Sequence, residues 1–151
     1  MDLKIDIPEF DATLLPQLQR KLDGKAKPVG SRGRLESLAL QVGLIQNTLT
    51  PALNNPVMLT VAADHGITAE GVSACPVEIT WQQVHNFLAG GGGIGLLART
   101  YGMDLWVVDA GVNYGFAPHP KLIDAKVAYG SENFLLQPAM SIENCGRALD
   151  N

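Results

Sequence analysis

The chain is poor in cysteine, in charge and in long apolar runs. Its two cysteines, Cys75 and Cys145, are far apart, form no C-x-x-C pair and have no metal-ligand spacing around them. They give no support to a disulfide framework, and free thiols in a reducing cytosol are expected. Charged residues make up 17% of the chain, no basic run stands out, and the formal net charge is −4. A nucleic-acid surface is therefore not expected. No apolar stretch is long enough to span a membrane. Met1-Asp2-Leu3-Lys4-Ile5-Asp6 lacks the basic end and apolar run of a secretory signal. His85 and His119 have no partners at ligand spacing, so no metal is expected. Nothing calls for a cofactor. The expectation is a soluble cytoplasmic protein with no nucleic-acid and no membrane partner.

What is present is core material. Of 151 residues, 46% are hydrophobic, which suffices for a packed domain and argues against disorder. The sixteen glycines and nine prolines scatter through turns without forming a repeat. A first helix is expected from Leu14 to Leu22, capped by Thr13, with Pro16 tolerated in its first turn. Leu35, Leu38, Ala39, Val42 and Ile45 recur three or four apart, one apolar stripe of a second helix that Asn47 and Pro51 end.

The run from Val57 to Ala63 is short and nearly all apolar, as in a strand covered on both faces. Leu105-Trp106-Val107-Val108 has the same character. Between them, Val77, Trp81, Val84 and Leu88 form a helical stripe. Gly90 to Gly93 interrupt it, and Ile94, Leu97 and Ala98 resume on another helix. Strand, helical crossover and strand make a βαβ unit. Beyond Pro118 and Pro120, a weak third strand is expected near Lys126 to Tyr129. Ser141 then reads as the N-cap of a helix carrying Ile142, Cys145 and Leu149. A doubly wound sheet commonly has about five or six strands. The reading is an α/β fold that is incomplete in this chain.

Asp64 and His65 follow directly on the first strand. Ligands of open parallel sheets sit beyond the carboxyl ends of strands, so these two side chains are candidates to face a substrate. The plain alternative is a turn cap and a backbone-bonded histidine. Glu70 is a weaker candidate, because exposed loop carboxylates are common. Asp109 and Gly111 repeat the pattern at the second strand end and suit a ribose hydroxyl or phosphate; an ordinary turn explains them slightly better. Gly90-Gly91-Gly92-Gly93-Ile94-Gly95 contains G-x-G-x-x-G, but a dinucleotide fingerprint must follow a strand, and this run follows a helical pattern. It reads instead as a sharp, close helix junction, whose amides can hold an anion. The stretch from Lys25 to Glu36 mixes cations, glycines and a helix start, so Gly30, Ser31 and Arg34 are candidates for phosphate. The alternative is a solvated helix start with Arg34 and Glu36 exposed. Trp81 and Trp106 lie on apolar stripes and read most simply as core.

In order and spacing these segments carry a resemblance. Lys27-Pro28-Val29-Gly30-Ser31-Arg32-Gly33-Arg34-Leu35-Glu36 resembles the opening K-P-x-G-S-L-G-R-L-E of the nicotinate-nucleotide:dimethylbenzimidazole phosphoribosyltransferase family. Ala63-Asp64-His65-Gly66 with Glu70-Gly71-Val72 resembles its A-D-H-G…E-G-V segment. Asn86 to Gly91, Val108 to Val112 and Gln137 to Ser141 also match. Arg32, Cys75 and Gln137 depart from the family's usual leucine, Ser or Tyr, and glycine.

The resemblance implies a Rossmann-like, mostly parallel sheet with flanking helices. Residues 1–50 would be the helical segment of a small domain, and 51–151 the first part of the α/β domain. It implies transfer of the phosphoribosyl group of nicotinate mononucleotide onto a benzimidazole-type base, inverting the anomeric carbon, in building the lower ligand of cobamides. It places Cys75, Pro76, Trp81 and Gln83 on the base pocket, with Gln83 bonding a ring nitrogen and Trp81 or Phe87 as apolar wall. It puts the catalytic glutamate and most of the phosphate site beyond Asn151, so this chain alone is expected to be inactive. It implies a homodimer for the complete enzyme. Two other readings stand beside it: a non-catalytic base-binding or assembly module, and a small nucleotide-binding α/β domain.

Overall fold

The computed structural model describes residues 9–151, and the reading of Met1 to Asp6 lies outside them. The chain divides into two compact units, the first ending at Asn54 and the second spanning Asn55–Asn151.

The first unit holds a short 3₁₀ turn, Ala12–Leu14, then helices α1 (Leu15–Asp23) and α2 (Arg34–Ile45). The expected cap, Thr13, is not the cap. Asp11 accepts the Thr13 backbone N–H at 2.8 Å, because a 3₁₀ turn starts at Ala12, ahead of the expected helix start at Leu14, and Asp11 takes the extended capping conformation. Leu18 of α1 and Leu44 of α2 are buried. Gly43 makes their approach possible: a Cβ there would lie 2.7 Å from a Leu18 methyl. Leu35, Leu38, Ala39 and Val42 share one side, as the spacing predicts. They line a groove of about 340 Å³ with Pro51 and Leu53.

The second unit is the expected βαβ frame. Strand β1 (Val57–Ala63) pairs in parallel with β2 (Asp104–Gly111), and α3 (Glu78–Leu88) and α4 (Gly92–Thr100) form the crossover. A third parallel strand, β3 (Leu122–Asp124), pairs with the other edge of β2, giving the order β1-β2-β3. This corrects the strand expected near Lys126 to Tyr129. Asp124 accepts the Lys126 N–H and turns the chain off the sheet, and the Lys126 side chain then reaches back to Asp109.

The core is Val84, Val107 and Val112, with Ala62, Trp81, Phe87, Leu88, Phe116 and Leu122 packed on it. β1 is covered on one face only, against expectation. Val57, Leu59 and Val61 are 52%, 56% and 61% exposed, since α3 packs on the face Ala62 shares, and alternate residues point away. Trp81 is half-buried on the core. Trp106 is half-buried too, with the Lys121 ammonium 4.8 Å from its ring centre. Helix α5 (Ile142–Asp150) is capped as read, Ser141 Oγ accepting the Asn144 N–H at 3.1 Å. Its apolar residues do not enter a core: Ile142, Cys145 and Leu149 are all exposed. Both thiols are free.

The glycine run joins α3 to α4. Gly90 and Gly92 take positive φ, and a Cβ on Gly95 would run into the Gly90 backbone. A dinucleotide turn needs a strand leading into it, and here the Gly90 and Gly91 amides close α3 on Phe87 and Asn86.

Candidate functional site at the strand ends

The carboxyl ends of β1 and β2 converge on a small set of polar groups. Asp64 is buried, at 7% exposure. Its N–H donates to the Gly111 carbonyl at 3.0 Å, and its carboxylate accepts the Asn113 N–H at 2.7 Å. Asp64 therefore ties the end of β1 to the loop that leaves β2. His65 is exposed beside it and pairs in a parallel bridge with Ser131, whose Oγ lies 3.5 Å from the His65 Nδ1. Gly66 is held against the same segment, its N–H donating to the Ser131 carbonyl at 2.9 Å. A side chain cannot fit there, since a Cβ would stand 2.6 Å from the Asn133 nitrogen. Glu70 closes the short 3₁₀ segment Gly66–Glu70 and accepts from Asn133 Nδ2 at 2.6 Å.

A cavity of about 70 Å³ opens here between Asp64, His65, Gly111, Gly130 and Ser131. A wider groove of about 370 Å³ shares Gly130 and Asn144 with it and continues past Glu132, Gln137 and Ser141. The structure thus brings Asp64, His65 and Gly111 together, and ties Glu70 to the segment beside them.

Asp109 lies inside β2, not in the turn, and is 2% exposed. One carboxylate oxygen accepts the N–H groups of Gly111 and Val112, at 3.1 and 2.9 Å. The other pairs with the Lys126 ammonium at 3.0 Å. Lys126 also donates to the carbonyls of Val112, at 2.8 Å, and Tyr114. Its ammonium sits 4.3 Å from the Tyr129 ring centre, a favourable place for a cation. Asp109 and Lys126 together fix the 112–116 loop.

That loop carries two aromatic rings against α3. Tyr114 stacks on Trp81 with centroids 4.8 Å apart and planes 14° from parallel. His85 packs edge-on against both rings and against Phe116, which lies tilted on Tyr114. Cys75 and Pro76 form an exposed turn before α3, with the Cys75 N–H bonded to Ser73 Oγ. Gln83 is exposed, and its Oε1 accepts from Asn86 Nδ2 at 3.3 Å. Residues two apart on a helix point to different sides, so Trp81 and Gln83 do not share a face of α3.

In the first unit, Gly30 and Gly33 take positive φ in successive turns. The Ser31, Arg32 and Gly33 amides bond to Pro28, Glu36 and Gly30 within the loop. The side chains of Ser31, Arg32 and Arg34 are exposed. Glu36 is buried, against the alternative that left it on a solvated face. Lys27 lies 2.9 Å from it and, with the Arg32 amide, holds its carboxyl below the usual glutamate range.

Sequence reasoning missed Lys126, Tyr114, Ser131 and Asn133. Lys126 was absorbed into an expected strand. Tyr114 and Phe116 stand two apart behind Gly111-Val112-Asn113, and aromatic rings in a glycine-rich loop after a strand end were a usable signal. Ser131 and Asn133 carried none, because their partners lie more than sixty residues away. Among the described residues no cluster of metal-ligating side chains appears, and no helix is long and apolar enough to cross a membrane.

Comparison with known proteins places these features. The nicotinate-nucleotide–dimethylbenzimidazole phosphoribosyltransferase of Dechloromonas aromatica is 51% identical over 98% of this chain and 42% of its own length. The protein of that name from Parabacteroides distasonis is 52% identical over 97% of this chain and 43% of its own. A crystal structure of a protein so named from Thermus thermophilus superposes with a TM-score of 0.85 at 39% identity, covering 92% of this chain and 42% of the other. The chain thus spans less than half the length of the relatives it matches. The profile of a family described as Phosphoribosyltransferase matches residues 7–151, and the chain belongs to that family, of which it represents the amino-terminal part.

Proposed function

We propose that this chain forms the acceptor-side part of an enzyme that moves the phosphoribosyl group of nicotinate mononucleotide onto a benzimidazole-type base. The products are nicotinate and the alpha-configured nucleotide used as a cobamide lower ligand. The observation that carries the reading is the 51% identity running through nearly the whole chain to a protein of that name. The βαβ frame supports it by setting Asp64, His65 and Gly111 around a strand-end cavity, where α/β sheets bind ligands.

The chemistry fits such a site. The leaving pyridine nitrogen carries positive charge in the nucleotide, so nicotinate departs without needing a proton. The incoming base loses the proton of its other ring nitrogen, and a positioned carboxylate assists by accepting it. Alignment of the attacking nitrogen with the anomeric carbon supplies much of the rest. Cys75, Pro76 and Trp81 are assigned to the base; Gln83, which lies off the Trp81 face of α3, is assigned to it on the family resemblance alone. Asp64, buried and engaged with the Asn113 amide, positions the loop beside it. His65, Glu70, Asp109 and Gly111 line or brace the nucleotide side. In the first unit, Gly30, Ser31 and Arg34 are assigned to phosphate binding.

Residues 1–50 are assigned to a small helical domain and 51–151 to the first part of the α/β domain. The complete enzyme is a cytoplasmic homodimer, and this chain alone is inactive. The test is a chimera in which this chain replaces the matching 148 residues of the Dechloromonas enzyme. Nicotinate release from nicotinate mononucleotide and dimethylbenzimidazole is expected from the chimera and not from the chain alone. A folded chimera that binds neither substrate overturns the assignment.

A further inference from the structure

We infer that Tyr114 determines how readily an aromatic acceptor reaches Trp81, by occupying the ring face the acceptor needs. The inference rests on the placement of Trp81 in the base pocket. Trp81 packs on the buried cluster of Val84, Val107 and Val112, and Tyr114 lies stacked on it at 4.8 Å and 14°. His85 meets the Trp81 ring edge-on, 6.0 Å between centroids. The core holds one side of the indole and Tyr114 covers a face, so a flat acceptor and Tyr114 compete for the same surface.

The loop is built for that ring to leave without the backbone moving. The Tyr114 N–H donates to the Val112 carbonyl at 2.8 Å, and its carbonyl accepts from Lys126, which the buried Asp109 anchors. These bonds hold the main chain and do not involve the Tyr114 side chain. Space is open beside the loop, since a Cβ on Gly115 would meet nothing within 4 Å. Tyr114 as a residue is 36% exposed. The ring's departure gives up the stack on Trp81 and the contacts with His85 and Phe116, 5.6 and 4.9 Å between centroids, and the acceptor's own stack on Trp81 offsets the first of these. The acceptor's apparent affinity is thereby reduced by the stability of the Tyr114–Trp81 pair, and an acceptor with a larger ring overlap displaces Tyr114 more readily.

The experiment is calorimetric titration of the whole 151-residue chain with dimethylbenzimidazole, in the wild type, Tyr114→Ala and Tyr114→Leu. Leucine keeps apolar bulk on the core but cannot stack, so it guards against a misfolded alanine variant. Both variants are expected to bind about 3- to 10-fold more tightly, the range set by one stacked pair. The sign is informative, because damage to the fold weakens binding. Unchanged or weaker binding in Tyr114→Leu, with saturable binding in the wild type, overturns the role of Tyr114 and leaves the base-pocket assignment intact. Absence of saturable heat in all three proteins overturns the base-pocket assignment itself, and the inference with it.

Discussion

Removing the Lys126 ammonium by Lys126→Met should cost about 3 kcal/mol of folding stability in the second unit. The magnitude follows from where the charge sits. The side chains of Lys126 and Asp109 are 12% and 3% exposed, and their ion pair is 3.0 Å long. Breaking a buried pair leaves its partner charged and desolvated, typically a loss of about 3–5 kcal/mol. The lower end applies because Asp109 keeps two backbone donors, Gly111 and Val112. The carbonyls of Val112 and Tyr114 lose a donor as well. The pair itself is not the source of that number, so Asp109→Asn with Lys126→Met should be much less damaging than the sum of the two single changes. Two buried charges then disappear together. A coupling of about 2 kcal/mol is expected, since residues in one hydrogen-bonded network couple by about 0.5–3 kcal/mol. Urea unfolding followed by tryptophan fluorescence measures it cleanly, because Trp81 and Trp106 both lie in the second unit. Losses that add to within about 0.5 kcal/mol would show that Lys126 acts as a surface lysine and that the loop is held by other means.

Glu36 has its pKa lowered by the Lys27 side chain first and the Arg32 amide second. A depressed folded value means stability that is present above the unfolded pKa and is lost as pH falls through the folded one. The melting temperature should therefore drop as pH falls below about 4.3, the ordinary glutamate value, and Glu36→Gln should flatten that drop; parallel melting curves for the two proteins between acid and neutral pH would remove Glu36 from the account. Leu59→Thr with Val61→Thr, on the exposed face of edge strand β1, should shift the isolated chain toward monomer in sedimentation without unfolding it, because threonine keeps strand propensity while removing apolar surface. A wild type that stays monomeric at every concentration contradicts this. In the chimera, Gln83→Ala should raise the Michaelis constant for the base more than that for the nucleotide, and equal changes would detach Gln83 from the acceptor.

The frame of the second unit was legible because its signals are local. The apolar run from Val57 to Ala63 and its echo from Leu105 to Val108 became β1 and β2, and the glycines at 90–93 became the α3–α4 junction. The third strand was misplaced for a physical reason. Leu122-Ile123-Asp124 is only three residues long, too short for alternation to register. Val127-Ala128-Tyr129 is more apolar and drew the assignment, although the Asp124 turn had already taken the chain off the sheet. The same blindness applies to β1, where an unbroken apolar run carries no information about which face is covered.

The site shows where local signals stop. Asp64 and His65 could be named from their position after a strand, and Asp109 from the same rule, yet the two carboxylates and the imidazole do different things. His65 faces outward, Asp64 is spent on the Asn113 amide, and Asp109 is enclosed by Lys126 and two amides. A buried carboxylate whose acceptor positions are filled by donors of its own chain is an element of scaffolding, since taking those donors away leaves a charge uncompensated in a poorly solvated place. That distinction depends on partners up to 49 residues distant, which no motif contains. Asp64 and Asp109 therefore act on the aromatic stack at one remove. They hold the 112–116 loop from its two sides, and the loop in turn sets Tyr114 on Trp81. The motif residues of the strand ends and the aromatic face of α3 are in this way one construction, joined by a loop that neither motif includes.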